Sequence, residues 1–378
     1  MNIPLFVPTY RVDECLAEIR DCLEKGWTGL GYKTVEFEER WKEYTGFKHA
    51  HFLHSATAGL SLAVEVLKMT KGWKKGDEII TTPLTFVSTN HTIRYHALKP
   101  VFADVDSYLC LDPDDMVRRI TPRTRAVLFV GMSGNTGQYE RIVKLCEQYG
   151  LALILDAAHM AGTRLHGCIP GKEADAVVYS FQAVKNLPTA DGGMVCFHEE
   201  AQDHLVRKLS WLGINKDTYT RTNAEGQYRW LYDVEHVGYK YHGNSIMAAI
   251  GLVQLRYLDQ DNAYRKQLCT WYEQALAEVK SIIPFIPVAP DCDSSRHLFM
   301  ISAPARNELL ALLNENGIFP GVHYRINTAY RMYRHARGQC PTAETMSDRI
   351  ISLPLHLRMT YADVQTIASV IKQYVSNL

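Results

Sequence analysis

Leu151-Ala152-Leu153-Ile154-Leu155-Asp156-Ala157-Ala158-His159 is the stretch from which the fold can be read. Its first five residues are all apolar, with no polar position alternating between them. That pattern describes a strand buried on both faces, as in a parallel sheet. Asp156 closes the run and a turn of small residues follows, which puts a carboxylate at the carboxyl end of a central strand. A second β-rich run, Ala176-Val177-Val178-Tyr179-Ser180-Phe181, is followed by Lys185 and then by Thr189-Ala190-Asp191-Gly192-Gly193. Taken singly, Asp156 reads as a helix cap and Lys185 as a loop lysine. Their meaning comes from their surroundings.

Outward from that strand the chain keeps one period. Glu78-Ile79-Ile80-Thr81-Thr82 is a strand stopped by Pro83, and Val101-Phe102-Ala103 and Ala126-Val127-Leu128-Phe129-Val130 are two more. Helical spacing covers 60–67 and 139–149. The alternation predicts an α/β fold, a mainly parallel sheet with helices on both faces. Ligands of such sheets bind beyond the carboxyl ends of the strands, where Asp156 falls. Toward the C-terminus, 245–258 is an apolar helix in which Ala248, Ala249 and Gly251 permit close helix contact. It runs into Asp259-Gln260-Asp261-Asn262, and a further long helix extends to about 280. The Pro- and Asp-rich segment 284–293 opens a different layer, with a strand over 297–302 and helices over 306–316 and 361–375. The expected division is a large domain over 1–260, N-terminal segment included, and a small C-terminal α/β domain over 261–378.

Composition narrows the classes. The chain has 378 residues, with Lys+Arg and Asp+Glu both at 41, so its formal net charge is zero. That argues against nucleic acid as a partner while allowing a local cationic pocket. No apolar stretch approaches the roughly 20 residues that cross a bilayer, so no membrane association is expected. The N-terminus lacks the basic flank and small-residue cleavage site of a signal peptide, and the nine cysteines include no C-x-x-C pair. Both point to a cytoplasmic protein with reduced thiols. His49, His51 and His54 have i, i+2 spacing and no acidic or Cys ligand nearby, so no metal site is expected.

A carboxylate at one strand end and an amine after another can face each other across a pyridine ring. The carboxylate keeps the ring nitrogen protonated and the amine condenses with an aldehyde, the pairing that pyridoxal 5′-phosphate requires. Other positions agree. Ser55-Ala56-Thr57-Ala58-Gly59-Leu60 precedes a helix, whose N–H groups and the Thr57 hydroxyl suit a phosphate. Phe86, after the strand and Pro83, can stack on a ring or fill the core. Ser180 offers a second hydroxyl to the phosphate. His159 can pack against the ring or bond its phenolic oxygen.

With these residues, the order of several further segments resembles, over nearly the full chain, the sugar aminotransferases of the DegT/DnrJ/EryC1/StrS family. The matching segments include Gly26-Trp27-Thr28-Gly29-Leu30-Gly31, Ser55-Ala56-Thr57-Ala58, Gly76-Asp77-Glu78-Ile79-Ile80 and Pro100-Val101-Phe102-Ala103-Asp104-Val105-Asp106. Asp156-Ala157-Ala158-His159, Ser180-Phe181-Gln182-Ala183-Val184-Lys185 and Ser352-Leu353-Pro354-Leu355-His356 continue the series. The resemblance implies the fold-type I aminotransferase architecture, pyridoxal phosphate, and a homodimer whose active sites borrow residues from the partner subunit. It implies that Lys185 is the Schiff-base lysine and proton shuttle, Asp156 the pyridinium partner and Phe86 the stacking residue. Thr57, Ala58 and Ser180 become phosphate contacts, and His159 the residue beside the ring.

Departures from the family pattern bear on the substrate. Gly238-Tyr239-Lys240-Tyr241-His242 stands where the family often has Gly-Tyr-Asn-Tyr-Arg in the partner-donated loop. Lys240 would replace an amide by a cationic phosphate contact, and His242 stands in for an arginine that binds anions. His323-Tyr324 is retained, and with His242 forms the candidate substrate contacts. Arg325-Ile326-Asn327-Thr328 replaces a Pro-rich continuation. The implied reaction passes the amino group of L-glutamate to a ketosugar carried on a nucleotide. Two alternatives stay open: a small polar ketone not linked to a nucleotide, and a non-catalytic, cofactor-binding regulatory homologue. A third, deoxysugar dehydration, is disfavoured by Lys185, because the family lysine becomes histidine in those relatives.

Overall fold

The central sheet has seven strands: β1 (His51–Leu53), β2 (Glu78–Thr81), β3 (Lys99–Phe102), β4 (Thr124–Val130), β5 (Ala152–Asp156), β6 (Ala176–Ser180) and β7 (Gly193–Phe197). Their spatial order in the computed structural model, which describes residues 2–215 and 232–377, is β1-β7-β6-β5-β4-β2-β3. β5 pairs in parallel with β4 and β6, and the parallel run continues through β2 to β3. Only β7 runs against its neighbours β6 and β1. The sheet is therefore mainly parallel, as the alternating sequence predicts. Register sets Asp156 beside Val130 on one side and Val178 on the other, at the carboxyl edge.

Both faces of β5 and β6 are covered, which is why their sequences are uninterruptedly apolar. Leu153, Leu155, Val177 and Tyr179 point into one cluster with Phe37, Trp41 and Phe181. Ala152, Ile154, Ala176 and Val178 point the other way, onto Leu60, Val64 and Leu67 of helix Ala56–Lys71. The period-2 alternation of strand side chains is thus present, hidden by two apolar environments. Gly59 lets that helix lie close on the sheet: a Cβ there would stand 2.7 Å from Val178 Cγ1. Gly193 does the same for the turn ahead of the helix, since its Cβ would lie 2.5 Å from Ala56 N.

Helix Ser245–Ala275 is a single element of 31 residues. The polar run Asp259-Gln260-Asp261-Asn262, expected to interrupt it, does not, because its inward members find partners. Asp261 takes two hydrogen bonds from the Arg11 guanidinium at 2.6 Å each, and Asn262 Nδ2 donates to Ala161 O at 2.9 Å. The expected division at residue 260 therefore falls in the interior of a helix. Gly251 bears out close helix contact, for a Cβ there would meet the Phe37 ring at 2.7 Å.

The C-terminal layer pairs Phe299–Ser302 with Ile350–Leu353 in antiparallel fashion under helices Arg306–Glu315 and Tyr361–Ser376. The N-terminal segment joins this layer: Ile3 and Pro4 pair in parallel with Ile318 and Phe319, and Ile3 packs with Leu268, Ile301 and Leu353. Among the described residues no helix is long and apolar enough to cross a membrane, and no cluster of His, Cys, Asp and Glu could hold a metal ion.

Candidate active site

A cavity of about 430 Å³ opens beyond the carboxyl edge of the sheet. Thr57, Phe86, Asp156, His159, Ser180, Lys185, His323 and Tyr324 all line it, drawn from strand ends, loops and the first turn of a helix. Asp156 is buried at the end of β5. Its Oδ2 accepts the Thr89 hydroxyl at 2.8 Å and its Oδ1 accepts the Ala158 N–H at 3.1 Å. Burial pushes the Asp156 carboxyl above its ordinary range, and the pull of Thr89, Ala158 and Lys185 does not fully offset it. Burial also lowers the Lys185 amine to about 8, against the opposing charge of Asp156. A lysine so lowered reaches its nucleophilic free-base form far more readily near neutrality than a surface lysine.

His159 and Tyr324 form a fixed pair. The Ser133 N–H donates to His159 Nδ1 at 3.1 Å, so that nitrogen keeps its lone pair. Burial holds the imidazole well below its ordinary pKa, and the neutral ring carries its proton on Nε2. Nε2 then donates to the Tyr324 hydroxyl, 3.0 Å away. The phenol proton of Tyr324 is left free for a partner in the cavity. His323 is also neutral, lowered to about 4 by burial and by the Lys185 charge, with Nδ1 2.8 Å from Ser352 Oγ.

The helix expected from residue 60 begins at Ala56, because Ser55 Oγ accepts the Ala58 N–H at 3.2 Å as an N-cap. Thr57 therefore sits in the first turn, at the positive end of the helix dipole. Ala58 is packed behind the wall with its N–H already engaged, and it does not line the cavity. Phe86 is not core. It is 56% exposed, against the cavity and 5.8 Å from the Tyr324 ring. A bare aromatic face, a buried carboxylate short of donors, a free amine, and hydroxyls at a helix N-terminus fit a flat phosphorylated pyridine aldehyde.

Residues 10–372 match the DegT/DnrJ/EryC1/StrS aminotransferase family. The chain belongs to that family. It is 33% identical to the spore coat polysaccharide biosynthesis protein SpsC of Bacillus subtilis strain 168, over 99% of this chain and 97% of that protein. The aminotransferase TlmJ of Streptoalloteichus hindustanus superposes with a TM-score of 0.91 at 29% identity, over 99% of each chain. The PMP form of Spr1654, a putative sugar aminotransferase of Streptococcus pneumoniae, has a TM-score of 0.92 at 28% identity over 100% of each chain. This protein is thus a pyridoxal-phosphate-dependent aminotransferase of α/β architecture.

Two candidate residues of the aminotransferase stand away from its own cavity. Lys240 Nζ lies 3.2 Å from the centre of the Trp211 ring, a cation–π contact. His242 packs edge-on against the same ring at 4.5 Å, with Nδ1 2.6 Å from Gly243 O. Neither lines the cavity. Conversely, Thr89, Phe6, Gln182, Asp191 and His297 line it without having been singled out in the sequence. Thr89 had a usable signal, one helical turn beyond Thr85, whose hydroxyl it meets at 3.1 Å. Phe6 and His297 had none, since each reaches the site from a distant segment.

Proposed function

We propose that the aminotransferase moves the amino group of L-glutamate onto the ketone of a nucleotide-linked sugar, for cell-surface or secondary-metabolite glycan synthesis, as a homodimer with shared sites. The observation that carries the proposal is the shared lining of one cavity by Lys185, Asp156 and the bare ring of Phe86. The description of the Bacillus relative as a polysaccharide biosynthesis protein, and of the Streptococcus one as a putative sugar aminotransferase, supports a sugar as acceptor. When bound, pyridoxal phosphate supplies the aldehyde that takes the amine and a ring that draws electrons from the donor Cα.

The residues of the chain do the rest. Asp156 keeps the ring nitrogen protonated and so sets the strength of that withdrawal. Lys185 anchors the cofactor and moves the proton to and from the substrate carbon, a role typically worth about 10²–10⁴-fold. Thr57 and Ser180 hold the phosphate at the helix N-terminus, with Ala58 behind them, while Phe86 covers one ring face and His159 borders it. His323 and the free Tyr324 hydroxyl face the substrate. Lys240, outside its own cavity, would reach the phosphate of the other subunit's site, and His242 beside it would meet the substrate there.

Glutamate added to the holoenzyme should convert the cofactor to its amine form, followed by absorbance. Nucleotide-linked 3-keto and 4-keto sugars should then return it and gain one amine by mass spectrometry. Return by a free polar ketone alone would put the substrate outside nucleotide sugars. No conversion by glutamate would count against the donor assigned here.

A further inference from the structure

His297 is buried beside Lys185, with its Nε2 3.4 Å from Lys185 Nζ. Two side-chain amides, anchored on two backbone carbonyls, determine which way its lone pair points. Asn262 Nδ2 donates to Ala161 O at 2.9 Å, so Asn262 Oδ1 is the acceptor turned toward Asn186. Asn186 Nδ2 donates to that oxygen at 2.6 Å and to Ser295 O at 2.8 Å. Asn186 Oδ1 is left to face His297 Nδ1 at 3.0 Å. An amide oxygen can only accept, so Nδ1 carries the hydrogen. Burial keeps the His297 ring well below its ordinary pKa and hence neutral, which leaves Nε2 bare toward Lys185. Phe6 stacks on the ring at 5.6 Å with a 10° tilt, and the His159 ring lies 4.4 Å away.

We propose that His297 is a positioning residue for Lys185: its Nε2 lone pair holds the lysine amine in place whenever that amine is not bonded to the cofactor. The role rests on Lys185 being the lysine that carries the cofactor. During turnover the amine must leave the cofactor and return to the same carbon. A long side chain with several free rotors would otherwise drift in a cavity of this size, and a directed acceptor limits that loss. The acceptor is neutral, so it orients the amine without trapping it as strongly as a carboxylate would. The amide chain ties this acceptor to helix Ser245–Ala275 through Asn262, giving it a rigid base.

Lys185 ionisation reads the contact directly. The charged or titratable groups around the pair are Asp156, His159, His323 and Arg265. Trace acetylation of the cofactor-free protein across pH, with mass spectrometry of the Lys185 peptide, gives its midpoint, expected near 8 in the wild type. His297→Phe keeps a ring against Phe6 but removes the acceptor. The ammonium loses a partner and the midpoint should fall by about one pH unit. His297→Gln, which returns an acceptor oxygen to nearly the same place, should restore most of it. Asn186→Leu, which frees the tautomer, should give an intermediate fall. An unchanged midpoint in folded His297→Phe would overturn the proposal. So would an equal fall in His297→Gln, which would assign the effect to packing. If His297→Phe does not fold, His297→Leu against His297→Gln carries the same comparison. Because no cofactor or substrate is present, the result is independent of the sugar. A borohydride label mapped to another lysine would remove Lys185 from the reaction while leaving the midpoint shift intact.

Discussion

Glu38 and Asp156 are both buried carboxylates, and their surroundings drive them in opposite directions. Burial alone would raise Glu38, yet Arg207, His51 and the Phe52 N–H outweigh it and bring the carboxyl to about 2. Oε1 takes the Phe52 N–H at 2.8 Å and lies 2.9 Å from His51 Nδ1, while Oε2 takes Arg207 Nη1 at 2.8 Å. Asp156 receives one hydroxyl and one N–H, and burial wins. A buried carboxylate supplied with strong donors ties structure together. One left short of them is poised for a charged ligand, in the proposed function a pyridinium. His51, which by spacing could have suggested a metal site, belongs to the first kind of cluster.

The largest break in this comparison is Lys185→Ala. The phosphate and ring contacts should still retain the cofactor, while turnover falls by more than about 10³-fold. Borohydride should fix the cofactor to Lys185 in the wild type and to nothing in the variant; peptide mapping checks both.

Asp156→Asn comes next. Activity should drop by roughly 10²-fold or more, because an amide does not hold the ring nitrogen protonated. Stability should not drop with it. A carboxylate raised above its unfolded pKa costs stability once pH exceeds the unfolded value, so the neutral amide is no worse at pH 7. Steady-state rates and thermal melting on the same preparation read the two effects, and near-normal glutamate rates would mean the ring lies the other way round.

Glu38→Gln should show the reverse. Here the folded pKa is depressed, so the stabilisation is present above about 4.5 and is lost as pH falls through about 2. The variant should lose about 3 kcal/mol at pH 7, and the gap from wild type should close through that acid window. Urea titrations at several pH values measure the gap, and turnover per folded molecule should stay close to normal.

The smallest effect is assigned to Lys240→Ala, expected to weaken cofactor binding by about tenfold. At cofactor levels where the Lys240→Ala homodimer is itself impaired, mixing with Lys185→Ala subunits should recover activity toward half the normal level, since one site then has both lysines. An unimpaired Lys240→Ala homodimer would return the residue to the role visible here, a cation resting on Trp211.

Much of this was legible without coordinates because the signals are local. β5 and β6 read as buried strands from apolar runs that both faces of the sheet demand. The helix over 139–149 matches Tyr139–Tyr149. Asp156, Ser180, Lys185 and His159 were named from strand ends and the turns after them, Thr57 from a helix start, and His323 and Tyr324 from the family resemblance; all line one cavity. The errors were also local readings. Asp259-Gln260-Asp261-Asn262 looks like a helix end until Arg11 and Ala161 supply its partners. Ala58 looks like a phosphate contact until Ser55 occupies its N–H.

The sequence by itself determined the parallel α/β sheet and the edge at which the chemistry sits, because hydrophobic period and turn residues act over a few neighbours. Only the tertiary structure decided the electrical state of the site. Whether Asp156 is raised or Glu38 lowered, and which nitrogen of His159 or His297 is bare, depends on donors brought together from remote segments within a few ångströms. Hydrogen bonding and desolvation act at that range, and spacing along the chain does not encode it.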